Sequence, residues 1–464
     1  MGKKIGIVGS IGATAILILL LFGPNIGVVA DYNQGPYLGF TAGVYGNGND
    51  DCADPATRGD VIPAYHTQDA SLGDVLVQVY VVGSGDDAAI RLAISTNGGT
   101  SFAAFEWVSS DMNVKQDYPD VQLYEDTTDS NAVKAVVVWQ EKPDDDSKDW
   151  CIKARERSFK TGTWGSVKSV SSTDLSENDN DNIYPKISAC SDNSVSYWNI
   201  VWQREWDGLT NRYGIYLRRY VRDTNNEGFN SIVTIAQPSD NDDDYKHPAT
   251  DCIPDSTNYE VVYIIYDEYH SGETPDNIIK LTYGSPSGSS WGTFTASGNV
   301  QVDTSDDGDL SQDNPDIAVV ESADGQNVIV DCVWIENDDN DEVKYKRSTN
   351  GGSSFGSEVL IDDDGYMSLR SVAVDSCVSI TKQNPLHSKE RCHVIWTTGN
   401  DVYYRDRLGT DGNWGGNFGP QKDGATTQYN EAFVDVSTSA PTPSSIIAYA
   451  VWDVSGTAVF FGWD

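Results

Sequence analysis

The chain has 464 residues, 70 of them acidic and 31 basic, for a formal net charge of −39. That balance excludes a nucleic-acid partner, because a phosphate backbone is held by Lys and Arg. With 39% apolar residues, 24 Tyr and 13 Trp, the chain is also too aromatic to be a disordered acidic protein.

Residues 1–30 stand apart from the rest. Lys3 and Lys4 precede the apolar stretch 5–22, which is followed by Gly23-Pro24 and by small residues ending at Ala30. This reads as a secretory signal cleaved after Ala30, with an uncleaved N-terminal anchor through residues 5–22 as the alternative. Either way the body lies outside the cytoplasm, as a secreted or surface-anchored protein. Export permits disulfides, and seven cysteines leave at least one thiol over. Cys377 and Cys392 flank one predicted hairpin and form the one pairing expected. No Cys-x-x-Cys spacing points to a cysteine zinc site.

Residues 31–60 are a lead-in whose strand candidate is PYLGFTAGVY, Pro36 to Tyr45. From 61 to 464 the chain repeats itself. An apolar run ends in an aromatic at Tyr80, Trp139, Trp202, Tyr266, Trp334, Trp396 and Trp452. The runs recur about every 60 residues, the mark of a repeated sheet unit. Each is short, β-branched and dense enough to be buried on both faces.

Each repeat reads as four strands. The first follows an X-Pro signal, at Tyr118-Pro119, Tyr184-Pro185, His247-Pro248 and Asn314-Pro315. The second is the aromatic run. The third alternates with Lys and Arg on one face, as in CIKARERS from Cys151 and VKYKRS from Val343, which predicts a wetter side. The fourth opens near an aromatic after a Gly-rich turn, at Phe102, Trp164, Phe229, Trp291, Phe355 and Trp414. The pattern predicts an all-β, seven-bladed β-propeller of four-stranded blades. The last repeat stops after its third strand, so an N-terminal strand from residues 36–45 is predicted to pair with Ala458–Trp463 and close the ring.

Two turns between third and fourth strands are nearly the same. Ser95, Asn97, Gly99 and Phe102 match Ser348, Asn350, Gly352 and Phe355. Asn-Gly supplies the left-handed residues that a tight hairpin needs. These turns resemble the Asp-boxes of the sialidase-like, Asp-box (BNR) repeat propellers, with Asn for Asp and Phe for Trp. In that family the boxes are structural. The resemblance extends to Val61-Ile62-Pro63, where a sialidase would carry an Arg that grips the substrate carboxylate. Valine cannot supply that forked donor, so the resemblance implies a propeller without sialidase activity.

The carboxylates cluster in two sets of loops that a four-strand meander places on one face. Between repeats lie Glu177, Asp179 and Asp181, then Asp240, Asp242, Asp243 and Asp244, then Asp303, Asp306, Asp307 and Asp309, then Asp362 to Asp364. Between second and third strands lie Asp144, Asp145, Asp146 and Asp149, then Glu336, Asp338, Asp339, Asp341 and Glu342. Ca²⁺ takes several oxygens from such loops, with Asp179, Asp181, Asp242, Asp244, Asp307, Asp309, Asp339 and Asp341 as candidate ligands. Solvated turn chemistry is the plainer account of the same residues. Trp150, Trp206 and Tyr269 on this face are candidates for stacking on sugar rings, or for lying half-buried under their loops. The five His stand singly and read as packing or surface residues. Two functions follow from this pattern. One is a non-enzymatic surface module that binds an extracellular glycan or a surface protein. The other is a glycoside hydrolase acting on extracellular polysaccharide through a carboxylate pair.

Overall fold

A computed structural model describes residues 43–45, 58–62, 75–82, 88–97, 102, 104–109, 114–130, 132–143, 149–171, 181–192, 195–206, 212–239, 243–255, 259–270, 277–303, 311–322, 325–337, 341–362, 369–379, 389–398, 402–408, 414, 434–442, 445–454 and 457–463. The fold is all-β. Its strands form antiparallel sheets of three to five strands that resemble propeller blades. The first sheet runs Arg58–Ile62, Val75–Val82, Ala89–Ser95 and Ala104–Trp107. The second holds Val114–Asp126, Ala132–Pro143 and Cys151–Ser158 with two short outer strands, and the third holds Asn182–Asp192, Val195–Glu205 and Tyr213–Asp223 with two more. The fourth and fifth run from Asp243 to Gln301 and from Ser311 to Asp362, four strands each. Leu369–Ser379, Lys389–Thr398 and Val402–Leu408 make the sixth, and Val434–Thr442, Ser445–Val454 and Thr457–Trp463 begin the last. Gly43–Tyr45 adds to that last sheet, with Gly43 opposite Phe460 and Tyr45 opposite Ala458.

All seven periodic aromatics lie on the second strand of their sheet. Trp139, Trp202, Trp334 and Trp396 have no exposed surface. The reason is packing on both sides. Ala135, Val137 and Trp139 face the first sheet, while Val136 and Val138 face the third. The same split recurs around the molecule, so the core is a series of inter-sheet layers rather than one centre. The turn aromatics seal these layers from outside: Trp164, Phe229, Phe355 and Trp414 each pack against the cluster shared with the preceding sheet.

The third strands keep a wetter side at several positions: Arg91, Lys153, Lys280 and Lys344 are half-buried between buried apolar neighbours, while Arg157, Arg219 and Lys346 are buried. Arg155 and Arg218 donate to backbone carbonyls, and four other Arg meet a carboxylate from within the fold. Arg157 grips Glu106 of the first sheet through two bonds of 2.8 and 2.7 Å. Arg222 reaches Asp126 and Glu156 of the second at 2.9 and 2.8 Å. Arg219 does the same to Glu260 of the fourth, and Arg347 to Asp331 within the fifth. Buried charges must be paired in this way to be tolerated.

First strands lie against first strands of neighbouring sheets, and Val434–Thr442 of the last sheet lies against Arg58–Ile62 of the first. Carboxylates clasp them together. Asp120 accepts from the Ile187 amide at 2.9 Å, Asp251 from Val319 at 2.6 Å, Asp316 from Val374 at 2.9 Å and Asp60 from Leu123 at 2.5 Å. Each bond joins one sheet to the next.

The predicted Cys377–Cys392 disulfide is not formed. The hairpin register sets Ser376, not Cys377, opposite Cys392, and Cys392 is a buried free thiol. Among the described residues no helix is long and apolar enough to cross a membrane. The stretches 1–30 and 31–42 lie outside the described residues.

Candidate functional site

The X-Pro signals build the site. In four first strands the residue before proline takes a left-handed backbone: φ is 47° at Tyr118, 53° at Tyr184, 45° at His247 and 49° at Asn314. Proline steers its predecessor away from helical angles, and a non-Gly residue at positive φ costs about 1–3 kcal/mol, a strain that tends to gather at functional sites. Each pair is looped out of the ladder. Register shifts occur between Asp117 and Asp120, Ile183 and Lys186, Lys246 and Ala249, and Asp313 and Asp316.

Two of the looped-out residues are held from the sheet before, while the Tyr118 and Asn314 amides donate to their neighbours Asp117 and Asp313. The Tyr184 amide donates to Gln140 Oε1 at 2.9 Å, and the His247 amide to Gln203 Oε1 at 3.1 Å. Gln140 and Gln203 directly follow the periodic tryptophans, so the repeat that forms the core also fixes the site. Because first strands are neighbours, the side chains form a row. The Tyr118 and Tyr184 rings meet edge-on with centroids 4.4 Å apart, and Tyr184 and His247 follow at 6.3 Å.

His247 ends the row between two carboxylates. Its Nδ1 lies 2.9 Å from Asp267 and 2.7 Å from Asp313, residues of the fourth and fifth sheets. Burial alone would lower the His247 pKa, but the two carboxylates outweigh it and hold the ring's pKa well above the usual value. The carboxylates diverge. Burial raises Asp267 despite His247, whereas for Asp313 burial is outweighed by the charge and hydrogen bond of His247 together with the Asn314 amide and Lys246, and the pKa is lowered. His247, Asp267 and Asp313 bring their ligand atoms within 4.8 Å of one another and could hold a metal ion. A second such group, Cys190, Cys252 and Glu260, lies where the third and fourth sheets meet.

The described residues singled out from sequence are engaged within the fold. Trp150 is half-buried; its amide donates to Asp181 Oδ1 at 3.0 Å and Lys115 sits 5.2 Å over its ring. Trp206 packs partly buried against the core between the second and third sheets. Arg212 links it to Tyr269, accepting from the Trp206 amide at 2.7 Å and stacking its guanidinium over the Tyr269 ring at 5.8 Å. Of the candidate metal ligands, Asp244 accepts from the Tyr213 amide and pairs with Lys246 at 2.5 Å. Asp341 is partly buried just before the Glu342–Ser348 strand. Asp179, Asp242, Asp307, Asp309 and Asp339 lie outside the described residues, as does Gly99. Val61 lies on the Arg58–Ile62 strand.

Both related turns keep their internal bonds where described. Ser95 Oγ donates to Asn97 Oδ1 at 2.9 Å, and Ser348 Oγ to Asn350 Oδ1 at 2.8 Å. Ser348 Oγ also accepts from the Gly352 amide at 2.9 Å. Phe102 is buried and Phe355 half-buried.

Several described carboxylates in and beside the acidic loops already have side-chain partners. Asp243 and Glu268 bracket His270 at 2.7 and 2.9 Å, and Glu336 and Glu342 bracket Lys344 at 3.0 and 2.6 Å. Sequence reading missed His247 because both its partners come from other strands, and His270 because Asp243 does, Glu268 alone being close to it in sequence. The visible signal was the shared X-Pro position, which puts His247 in line with Tyr118, Tyr184 and Asn314.

No family model matches the chain, and no curated protein matches it. Among solved structures it is similar to an α-L-arabinofuranosidase from Fusarium graminearum, with 12% identity, 78% of this chain and 94% of that chain covered, and a TM-score of 0.47. It is similar to the fucose-recognising six-bladed lectin of Aleuria aurantia, with 13% identity, 75% and 93% coverage and a TM-score of 0.40. It is also similar to Trypanosoma rangeli sialidase, with 9% identity and a TM-score of 0.40, over 71% of this chain and 52% of that one.

Proposed function

We propose that the chain is a secreted or surface-anchored binding propeller, sialidase-like with Asp-box turns, that recognises an extracellular glycan through the Tyr118–Tyr184–His247 row; a surface protein is the other partner such a row would fit. Seven blades and an N-terminal closing strand belong to this reading, which is supported by the placement of the seven aromatics and by the Gly43–Tyr45 pairing. The observation that carries the function is the row itself. Two aromatic rings and a doubly clamped His lie side by side, with Asp267 and Asp313 at one end. Ring faces cover the apolar C–H faces of a sugar, and carboxylates accept from its hydroxyls. Isothermal titration of the full chain against a glycan panel tests it. Tyr184→Ala should weaken the best ligand at least tenfold while the melting temperature stays within a few degrees. Binding unchanged by Tyr184→Ala and by His247→Ala would overturn it.

One observation favours a glycoside hydrolase as the second reading: the environments of Asp267 and Asp313 push their pKa values apart, as an acid and its partner require. Against it, His247 Nδ1 stands between the two, 2.9 Å from Asp267 and 2.7 Å from Asp313. Retaining enzymes hold their carboxyls about 5–5.5 Å apart with that space open. Turnover of a glycoside panel, lost in Asp313→Asn, would decide for hydrolysis. No turnover of a sialoside is expected, because Val61 stands where a sialidase carries Arg. Ca²⁺ is proposed at the loop carboxylates Asp179, Asp181, Asp242, Asp307, Asp309, Asp339 and Asp341, with Asp244 engaged by Lys246.

A further inference from the structure

We infer that Cys190 and Cys252 form a disulfide that staples the third sheet to the fourth when the chain folds in an oxidising compartment. Both are buried free thiols in the structure, and their sulfurs lie within 4.8 Å of each other. The step before them fixes their alignment. Ser188 Oγ and Thr250 Oγ1 meet at 3.3 Å across the same two first strands. Cys190 and Cys252 follow them at the same two-residue interval, and side chains two apart share a face. Both strands are regular here, with Cys190 opposite Tyr197 and Cys252 opposite Val262 in their own sheets. The two sulfurs are therefore the next rung of a cross-sheet ladder.

The surroundings fit a disulfide better than an ion. Glu260 is the third ligand of the group, but its oxygens are committed. Arg219 holds Oε1 through Nε at 2.8 Å and through Nη2, and Asn199 donates to Oε2 at 2.9 Å. Cys190 S–H donates to the same Oε2 at 3.6 Å. A cation placed there would sit against a fully buried guanidinium. Oxidation removes the two S–H protons without adding charge. Tyr197, Val221 and Trp291 supply the apolar walls.

The chemistry is thiol–disulfide exchange. One cysteine, as thiolate, attacks a small disulfide such as oxidised glutathione and releases one glutathione thiol. The second cysteine, as thiolate, attacks the mixed disulfide and releases the other. Two protons leave the cysteines and two glutathione thiols form, so the electrons balance. Hydrogen bonding to Cys252, burial and the nearby Glu260 all raise the Cys190 thiol, so exchange on the folded protein is slow. The linked residues enclose the whole segment from 190 to 252, a long loop whose closure restrains the unfolded chain.

The test compares full-length protein expressed with export to an oxidising compartment and protein expressed in a reducing one. Free thiols are alkylated in denaturant, and the chain is digested without reduction and mapped by mass spectrometry. The exported protein should give one linked peptide pair, Cys190 with Cys252, with Cys151, Cys332 and Cys392 alkylated. Its melting temperature should fall by several degrees on reduction, and Cys252→Ser should abolish that sensitivity. Recovery of Cys190 and Cys252 as separate alkylated peptides from the exported protein would overturn the inference. So would a linkage of either to another cysteine, or a zinc ion retained in the native mass and stripped by a chelator.

Discussion

Asp251 shows how one residue records the crowding of the first strands. Its carboxylate accepts from the Val319 amide at 2.6 Å and from its neighbour Cys252 at 2.7 Å. Burial pushes it up to about 7, with repulsion from Asp316 and Asp60 adding to the rise. The unfolded chain titrates near 3.9. Between those values the folded state holds a proton that the unfolded state has lost. The contribution to stability is therefore complete below about pH 4 and disappears as pH rises through about 7. In Asp251→Asn this dependence should vanish. Relative to the parent, the variant should gain about 2 kcal/mol between pH 5 and pH 8, read from urea unfolding at both values. A difference that does not change with pH would mean that Asp251 titrates normally. The same first strands show the limit of sequence at this scale. Asp251 and His247 are four residues apart, but the groups that shift them, Asp60, Asp313 and Asp316, lie far away in sequence. A charge environment assembled from separate sheets has no local spacing to read. Cys190 and Cys252 escaped notice for the same reason, whereas Cys377 and Cys392 looked paired because they share a hairpin.

At the level of the element, the Ser348–Phe355 turn is the clearest unit. Ser348 is buried, and its hydroxyl donates to Asn350 and accepts from the amides of Asn350 and Gly352. Asn350 in turn accepts from the Ser354 amide at 3.0 Å. Ser348→Ala leaves the buried Gly352 amide without its acceptor and should cost about 1–3 kcal/mol. Asn350→Asp keeps the acceptor oxygen and should change stability by less than about 0.5 kcal/mol. Gly352 sits at φ +83°, and a Cβ there would meet Leu281 at 2.9 Å. Gly352→Ala should therefore be the most damaging of the three in a thermal melt. Equal effects from Ser348→Ala and Asn350→Asp would show that the turn is held by its backbone alone. Elements of this kind were legible because their determinants are local. The Asn-Gly turns, the X-Pro signals and the second-strand aromatics each need only a few adjacent residues. The third strands were legible as strands with a wetter side, but not in their ion pairs, because the acids that hold Arg157 and Arg219 are 51 and 41 residues distant. The fourth strands were the least legible, since the second sheet breaks its outer edge into Thr163–Trp164 and Lys168–Ser169.

For the whole molecule the dominant quantity is the net charge of −39. Like charges brought close are relieved by screening or by a bound ion, and the two respond differently. Screening follows ionic strength whatever the cation. A bound ion at a hundredfold excess over its dissociation constant adds about 2.7 kcal/mol per site. After chelator treatment, millimolar CaCl₂ should therefore raise the melting temperature above that in NaCl of matched ionic strength, and coincident curves would assign the acidic loops to solvated turns. The second property of the whole is how its ends meet. The last sheet takes three strands from the C-terminal end of the chain and its fourth, Gly43–Tyr45, from the other end. Val44 lies opposite Val459, so this pairing spans nearly the entire sequence. A contact so distant is slow to form, because its loop entropy must be paid first. Once the first strands of the sheets lie side by side, however, most of that entropy has already been lost, and Gly43–Tyr45 can pair with Ala458–Phe460. Removing Gly43–Tyr45 uncovers Thr457–Trp463 as an edge strand, which invites both unravelling and pairing between molecules. Deletion of residues 31–50 should therefore lower the melting temperature by roughly 5 °C or more and promote self-association. Deletion of residues 2–30 alone should change neither, and separates the effect of the strand from that of the apolar segment. If the longer deletion melts and sediments like the parent, the edge of the last sheet is protected without Gly43–Tyr45, and the proposed closure by an N-terminal strand fails.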